Sequence, residues 1–417
     1  MNPLTLRKLE YEKIVEMVTA ECSSSLGKPK AADMMPVTDY DQILAWQQET
    51  SEGVTVRRME PNIPLGGLAD LSRQIRKAQI GGVLEPEEFL QLLDMLKACK
   101  RMSHFFLERK RTYEIPRLDW WAGQITQLPE LEREIDDVIA PEAVVRDSAS
   151  NELLSVRRKI NTLKNRIRER LEHIVRSETS SKYLQDALVT IRNDRYVVPV
   201  KQEYRSQIPG IIHDQSASGA TLFIEPMAVV EMNNDLRKAY STERDEVARI
   251  LQELSAKLMP YVEDLAYNME VLAQIDFIFA KARLSEKMNA VEPKLKSTPE
   301  LNIIKARHPL IDAKKVVPLS ISLGQEFDSV IITGPNTGGK TVTLKTVGLF
   351  ALMAQSGLHI PAEVGSEMGI FHGIYADIGD EQSIEQSLST FSSHMTNIVR
   401  FLPEIDYNSL VLLDELG

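Results

Sequence analysis

Apolar residues recur along this chain in two rhythms, and the change of rhythm marks its organisation. Leu6, Leu9, Ile14 and Val18 start an amphipathic helical pattern, and residues 85–106 carry a stronger one with Pro86 near its start and carboxylates in its first turn. Leu153, Val156, Ile160, Leu163, Ile167, Leu171 and Ile174 then recur at spacings of three and four, the seam of one long coiled-coil-like helix. Between 188 and 226 the period becomes two. Residues 196–200, 210–214 and 221–224 read as short strands, with Ser216-Ala217-Ser218-Gly219 as the turn between the last two. A second long helix follows through Val229, Met232, Leu236, Tyr240, Val247, Ile250, Leu254 and Leu258, with polar Glu243 in the gap. Pro260 ends or kinks it, and helical pattern resumes from Val262 to Phe279. A small β unit thus sits between two long helices, which predicts a hairpin of arms with strands at its tip or along its side. Residues 293–299 read as a linker. Beyond it, the β-branched run 330–333 predicts a buried strand, 341–356 a helix ending at Gly357, and 410–413 another apolar strand.

At 417 residues with 43% hydrophobic content, the chain has room for two or three domains with sizeable cores. The pattern divides it into a helical region over 1–145, long arms with the β unit (about 188–226) over 146–290, and a strand–loop–helix region over 291–417. The formal net charge of −11 excludes a uniformly basic nucleic-acid coat. Residues 151–205 depart from it, with 13 Lys or Arg against seven Asp or Glu. The basic side chains include Arg157, Arg158, Lys164, Arg168, Arg192, Arg195, Lys201 and Arg205. Two readings of this surface stay open: a solvated helix face laced with ion pairs, or a footprint for a phosphate backbone. Cys22 and Cys99 form neither a metal-spaced pair nor a disulfide framework, as expected of a reducing cytoplasm. The charged N-terminus lacks an apolar signal core and no run approaches a membrane span, so no membrane association is expected.

The chemistry concentrates near the C-terminal end. Gly334-Pro335-Asn336-Thr337-Gly338-Gly339-Lys340-Thr341 fits the phosphate-binding pattern G-x-x-x-x-G-K-[ST], flanked by the expected strand and helix. Glycines let backbone N–H groups close around phosphate oxygens, and the helix N-terminus adds partial positive charge there. Lys340 is expected to neutralise the β- and γ-phosphates of ATP, and the Thr341 hydroxyl to bind Mg²⁺. The 410–413 strand ends in Asp414 and Glu415, a Walker B arrangement in which Asp414 holds the Mg²⁺ shell and Glu415 polarises the attacking water. Other constellations read as bland. His213, Asp214 and Ser218 lie on a tight hairpin that does not give triad geometry, so they are turn and contact residues. Asp119-Trp120-Trp121 reads as core or hinge packing rather than a stacking platform. The polar run 387–395 reads, by itself, as a helix cap.

Together, the loop 334–341, Arg307-His308-Pro309 before it, Ser389-Thr390-Phe391 after it and the Asp414-Glu415 strand resemble the MutS family of ABC-type ATPases. The stretches 212–226 and 383–395 are similar to its bacterial MutS-two branch in particular, which lacks the mismatch-reading domain. The resemblance implies a multidomain fold: a mostly α-helical core and lever region with a small β-hairpin clamp-like unit, then an incomplete α/β P-loop ATPase domain. It also implies a homodimer in which Ser389 of one subunit contacts the nucleotide of the other, with Val316 and Val317 against the adenine. Relatives of this kind are linked to suppressing homologous recombination at branched DNA and to sensing and splitting collided ribosomes with their rRNA, both polyanionic partners. The family pattern continues past Walker B with a switch histidine, a dimerising element and a nuclease module, so the end at Gly417 is expected to be that of a truncated product. Nuclease activity is therefore not assigned to these residues, and a nucleotide-binding but non-hydrolysing protein is the alternative. A transport ATPase is disfavoured because the Ser389 loop lacks the glycine-rich form usual in transporters.

Overall fold

The computed structural model describes residues 2–60, 62–109, 112–335, 339–378 and 395–414. Its helices in chain order are α1 (Pro3–Lys8), α2 (Tyr11–Glu21), α3 (Gly27–Ala32), α4 (Tyr40–Met59), α5 (Ser72–Gln79), α6 (Pro86–Arg109), α7 (Pro116–Gly123), α8 (Pro129–Val138), α9 (Asn151–Arg176), α10 (Met227–Ala256), α11 (Val262–Lys287) and α12 (Lys340–Gln355). Its strands are β1 (Ile139–Ala140), β2 (Val144–Val145), β3 (Thr190–Arg192), β4 (Arg195–Lys201), β5 (Gly210–Gln215), β6 (Thr221–Pro226), β7 (Lys294–Lys296), β8 (Leu301–Ala306), β9 (Leu319–Leu323), β10 (Glu367–Gly369), β11 (Gly373–Asp377) and β12 (Ser409–Leu413). The chain gathers into two compact units, one of 1–72, 94–127 and 263–417, the other of 73–93 and 128–262.

In the second unit, the Ser150 side chain accepts the Leu153 N–H at 3.0 Å and so starts α9, with Glu152 in the first turn. The buried seam Ile160, Leu163, Ile167, Leu171 and Val175 packs with Val229, Leu236 and Ala239 of α10. Four antiparallel strands in the order β3-β4-β6-β5 add Val198, Val200, Leu222 and Ile224 to the same core. That core lies along the C-terminal part of α9 and the N-terminal part of α10, so the sheet caps one end of the helical pair. Pro260 falls in the 3-10 turn Met259–Tyr261, where its missing N–H disrupts no helix, and α11 starts directly after.

In the first unit, α12 is buried along its C-terminal half, from Thr346 to Gln355. Around it pack Leu6, Leu9, Ile14 and Val18 from α1 and α2, Leu301 and Ile303 from β8, Ile374 and Ala376 from β11, and Leu410 and Leu412 from β12. Strands β11 and β12 pair in parallel, with Asp377 opposite Leu413. A mixed sheet in the order β7-β10-β8-β9 completes this unit's strands.

Two expectations need correction. Residues 293–299 are not a plain linker, because 294–296 form β7 and pair in parallel with β10. Residues 330–333 are not a strand: Ile331 is 88% exposed, and no ladder reaches them among the described residues. A β-branched run has strand composition, but a strand also needs a neighbour to exchange backbone bonds with.

Candidate functional site

Two segments far apart in sequence meet at the start of α12. That helix begins directly after Gly339, whose φ of 82° lies in the left-handed region, and Gly334 is also positive at 149°. A Cβ at either position would meet no heavy atom within 4 Å, so backbone conformation rather than crowding calls for glycine here. Lys340 and Thr341 occupy the first turn. There the N–H groups lack intrahelical partners and the helix dipole is positive. Thr341 donates its hydroxyl to Asp414 Oδ2 at 2.5 Å, across 73 residues.

Asp414 follows β12 directly, and its N–H donates to the Asp377 carbonyl at 2.9 Å. Asp377 ends β11 with its side chain 3% exposed, and its Oδ1 accepts Lys8 Nζ at 2.7 Å and Asn397 Nδ2 at 2.8 Å. On the other flank Lys345 of α12 donates to Glu10 Oε2 at 3.0 Å. Hydrogen bonding from Lys13, and from Lys345, holds the Glu10 carboxyl below the usual range against the opposing effect of burial.

A hydroxyl and a carboxylate are hard oxygen donors, the set that binds Mg²⁺ when substrate phosphates and water complete its octahedron. Among the described residues no cluster of three or more His, Cys, Asp or Glu could hold a metal by protein ligands alone. The donors that are present therefore fit a metal delivered with a phosphate ligand. Pro335 lies exposed in the loop, and Val317 on the segment ahead of β9 is 83% exposed, with Val316 beside it half-buried. Asn336, Thr337, Gly338, Ser389 and Glu415 lie outside the described residues.

The basic arm resolves into two kinds of side chain. Arg157 bonds Glu243 at 2.8 Å, Asp147 at 2.5 Å and the Val145 carbonyl at 2.7 Å. Arg195 pairs at 3.1 Å with the fully buried Glu225, which also accepts His213 Nε2 at 2.5 Å and Asn233 Nδ2 at 2.7 Å. Arg192 meets Asp214 at 3.3 Å and lies over the Phe223 ring, Lys164 lies over Tyr240, and Lys201 reaches the Lys182 carbonyl. Arg158, Arg168 and Arg205 are exposed, with no side-chain partner among the described residues. His213 and Asp214 are thus engaged with different partners, and among the described residues the Ser218 hydroxyl meets that of Ser216. Trp121 donates to buried Glu49 at 2.8 Å and meets the exposed Trp120 edge-on.

Sequence reasoning missed Lys8, Glu10, Lys345 and Asp377 as parts of this site. Asp377 did carry a signal, since an apolar strand ending in an acid repeats the form of 410–414. Lys8 at the end of α1 and Lys345 in the second turn of α12 carried none.

The comparisons agree with this geometry. Residues 330–417 match the family described as MutS domain V. Over 417 residues the chain is 49% identical to "Endonuclease MutS2" of Alkaliphilus oremlandii and 52% identical to that of Pelotomaculum thermopropionicum, covering 100% of this chain and 53% of each relative. It is 49% identical over 418 residues to "Putative endonuclease MutS2" of Bacillus subtilis, with the same coverage. The chain spans about half the length of the curated relatives it matches. The loop, the helix it opens, the acid-ended strand and an identity near one half along the entire chain lead to one assignment: the chain belongs to the MutS2 family.

Proposed function

We propose that this chain binds ATP with Mg²⁺ at 334–341 and Asp414, within a P-loop ATPase domain of the ABC type. The observation that carries the reading is the Thr341–Asp414 contact at the N-terminus of α12, where the two protein ligands of a phosphate-borne Mg²⁺ meet. Lys340 neutralises the β- and γ-phosphates, Thr341 and Asp414 hold the metal shell, and Glu415 is the proposed water-activating carboxylate. Bound Mg²⁺ would supply charge neutralisation at the transferring phosphoryl group.

In the intact homodimer, with Ser389 reaching the partner's nucleotide, ATP closure tightens the arms on a polyanion. That partner is branched DNA, in suppressing recombination, or a collided ribosome. The exposed Arg158, Arg168 and Arg205 are the proposed phosphate contacts, because Arg157, Lys164, Arg192, Arg195 and Lys201 make internal contacts. A shift from 1:99 to 99:1 in the closed state requires about 5.5 kcal/mol of differential binding.

The test is nucleotide titration of this chain beside a turnover assay. Lys340→Ala should abolish saturable Mg²⁺·ATP binding; full binding by that variant sinks the site. A labelled four-way junction bound by the intact protein at fixed salt, challenged with collided ribosomes, then decides the partner. Displacement by far fewer ribosomes than competitor junctions would make the arm a ribosome grip.

A further inference from the structure

We propose that the corner between α1 and α2, Lys8-Leu9-Glu10, is a clamp that sets the spacing between Thr341 and Asp414; Lys8, Glu10, Lys345 and Asp377 are then positioning residues for the metal half of the nucleotide site. This inference rests on the nucleotide reading above.

Three attachments converge on the corner. Lys8 holds Asp377, whose own carbonyl takes the N–H of Asp414. Glu10 holds Lys345, one turn along α12 from Thr341. Leu9, between them, is fully buried over Gly348 of α12: a Cβ on Gly348 would come within 2.8 Å of Leu9 Cδ1 and 2.5 Å of Leu412 Cδ1. One short segment therefore grips α12, which carries Thr341, and β11, which pairs with the strand that leads into Asp414. The bonds close into a ring: Lys8 to Asp377, Asp377 to Asp414, Asp414 to Thr341, along α12 to Lys345, and Lys345 back to Glu10.

The backbone bears the mark of this closure. Glu10 sits at φ 58°, left-handed and without glycine's freedom. Such a conformation persists where surroundings over-determine it, and here the carboxylate is bonded to both Lys13 and Lys345. The αL kink turns Lys8 towards β11 and Glu10 towards α12. A metal held by the Thr341 hydroxyl and the Asp414 carboxylate would take the place of their direct bond, so the two oxygens would have to part to admit it. The clamp fixes how far apart these two groups can settle.

Positioning and simple charge predict different patterns. Removing either lysine takes a positive charge from near the site, which by itself would weaken binding of the anionic nucleotide more in EDTA than in Mg²⁺. Loss of positioning would weaken it only when Mg²⁺ is present. The experiment measures affinity for a fluorescent ATP analogue with this chain, in Mg²⁺ and in EDTA, for wild type, Lys8→Met, Lys345→Met, the double variant and Glu10→Gln. Each single change should weaken affinity in Mg²⁺ about tenfold, the loss typical of an outer-shell metal partner, with EDTA affinity unchanged. The double variant should lose less than the product of the two, because one spacing cannot be lost twice. Lys28→Met, exposed on α3 and outside the ring of bonds, should match wild type. Should Lys8→Met fail to fold, Glu10→Gln carries the same expectation from the surface side of the corner. Unchanged or tighter affinity in Mg²⁺ overturns the clamp, as does equal weakening in Mg²⁺ and EDTA. If wild type binds no analogue, or Lys340→Ala binds it equally well, the nucleotide reading falls first and the clamp with it.

Discussion

His359 has a hydroxyl on each ring nitrogen, Ser51 Oγ at 2.9 Å from Nε2 and Ser285 Oγ at 2.7 Å from Nδ1. Ser51 gives its proton to Glu292 at 2.5 Å, so it accepts from Nε2–H, and Nδ1 accepts from Ser285. This ordering needs a neutral ring. Burial, then the charges of Lys281 and Arg58, push its pKa from 6.5 down to about 4. Between those values the unfolded chain binds a proton that the folded chain refuses, so stability falls as pH drops through that window. The loss should approach about 3 kcal/mol by pH 4, and urea unfolding of wild type against His359→Gln should show that step only in wild type. Lys281 gives the matching case on the alkaline side. Burial lowers its pKa from 10.5 to about 8, against the pull of Glu49. Here too the unfolded chain holds the proton longer, so stability should rise with pH from about 8 to 10.5 and the step should vanish in Lys281→Met.

Among the elements, α12 is buried on every side from Thr346 to Gln355, and its glycine separates helix propensity from packing. Gly348→Ala favours the helix by up to about 1 kcal/mol, yet the new methyl has no room against Leu9 and Leu412, and overpacking costs about 1–3 kcal/mol. It should lower the melting temperature. Gly123→Ala at the end of α7, where a Cβ meets nothing within 4 Å, should leave it unchanged or raise it slightly. The α9 arm allows a similar separation. Arg157→Ala should destabilise its unit by removing the bonds to Glu243, Asp147 and Val145, whereas Arg168→Ala should weaken polyanion binding at constant melting temperature. If Arg168→Ala binds as wild type, the ion-paired-face reading of the arm wins. The long helices α9 and α10 were legible because a buried seam imposes three-and-four spacing over many turns. Strand β7 was not, because Lys294-Leu295-Lys296 is too short for a period and finds its partner Glu367 more than 70 residues away. The Gly334–Thr341 loop was readable because phosphate chemistry constrains neighbouring residues. The Lys8–Asp377 bond was not, since its halves lie 369 residues apart.

For the whole molecule, the charge of −11 means that polyanion affinity must come from a few local cations. If Arg158, Arg168 and Arg205 each neutralise one phosphate of duplex DNA, log K should fall against log salt with a slope of about −3. Each Arg→Gln change should flatten that slope by about one; a slope near zero would remove phosphate contact by these side chains. Among the described residues no helix is long and apolar enough to cross a membrane. The first unit is discontinuous in sequence, since the chain leaves it at 73 and again at 128 before returning for good at 263. This has a consequence during synthesis. Leu6, Leu9, Ile14 and Val18 emerge early, but the α12 and β12 surfaces that bury them are made more than 300 residues later. At about 5–20 residues per second, that apolar stripe waits roughly 20–70 s for its native cover. The nascent N-terminus is therefore a natural substrate for holding chaperones, and depleting them should cost yield at translation rather than stability once the chain is complete.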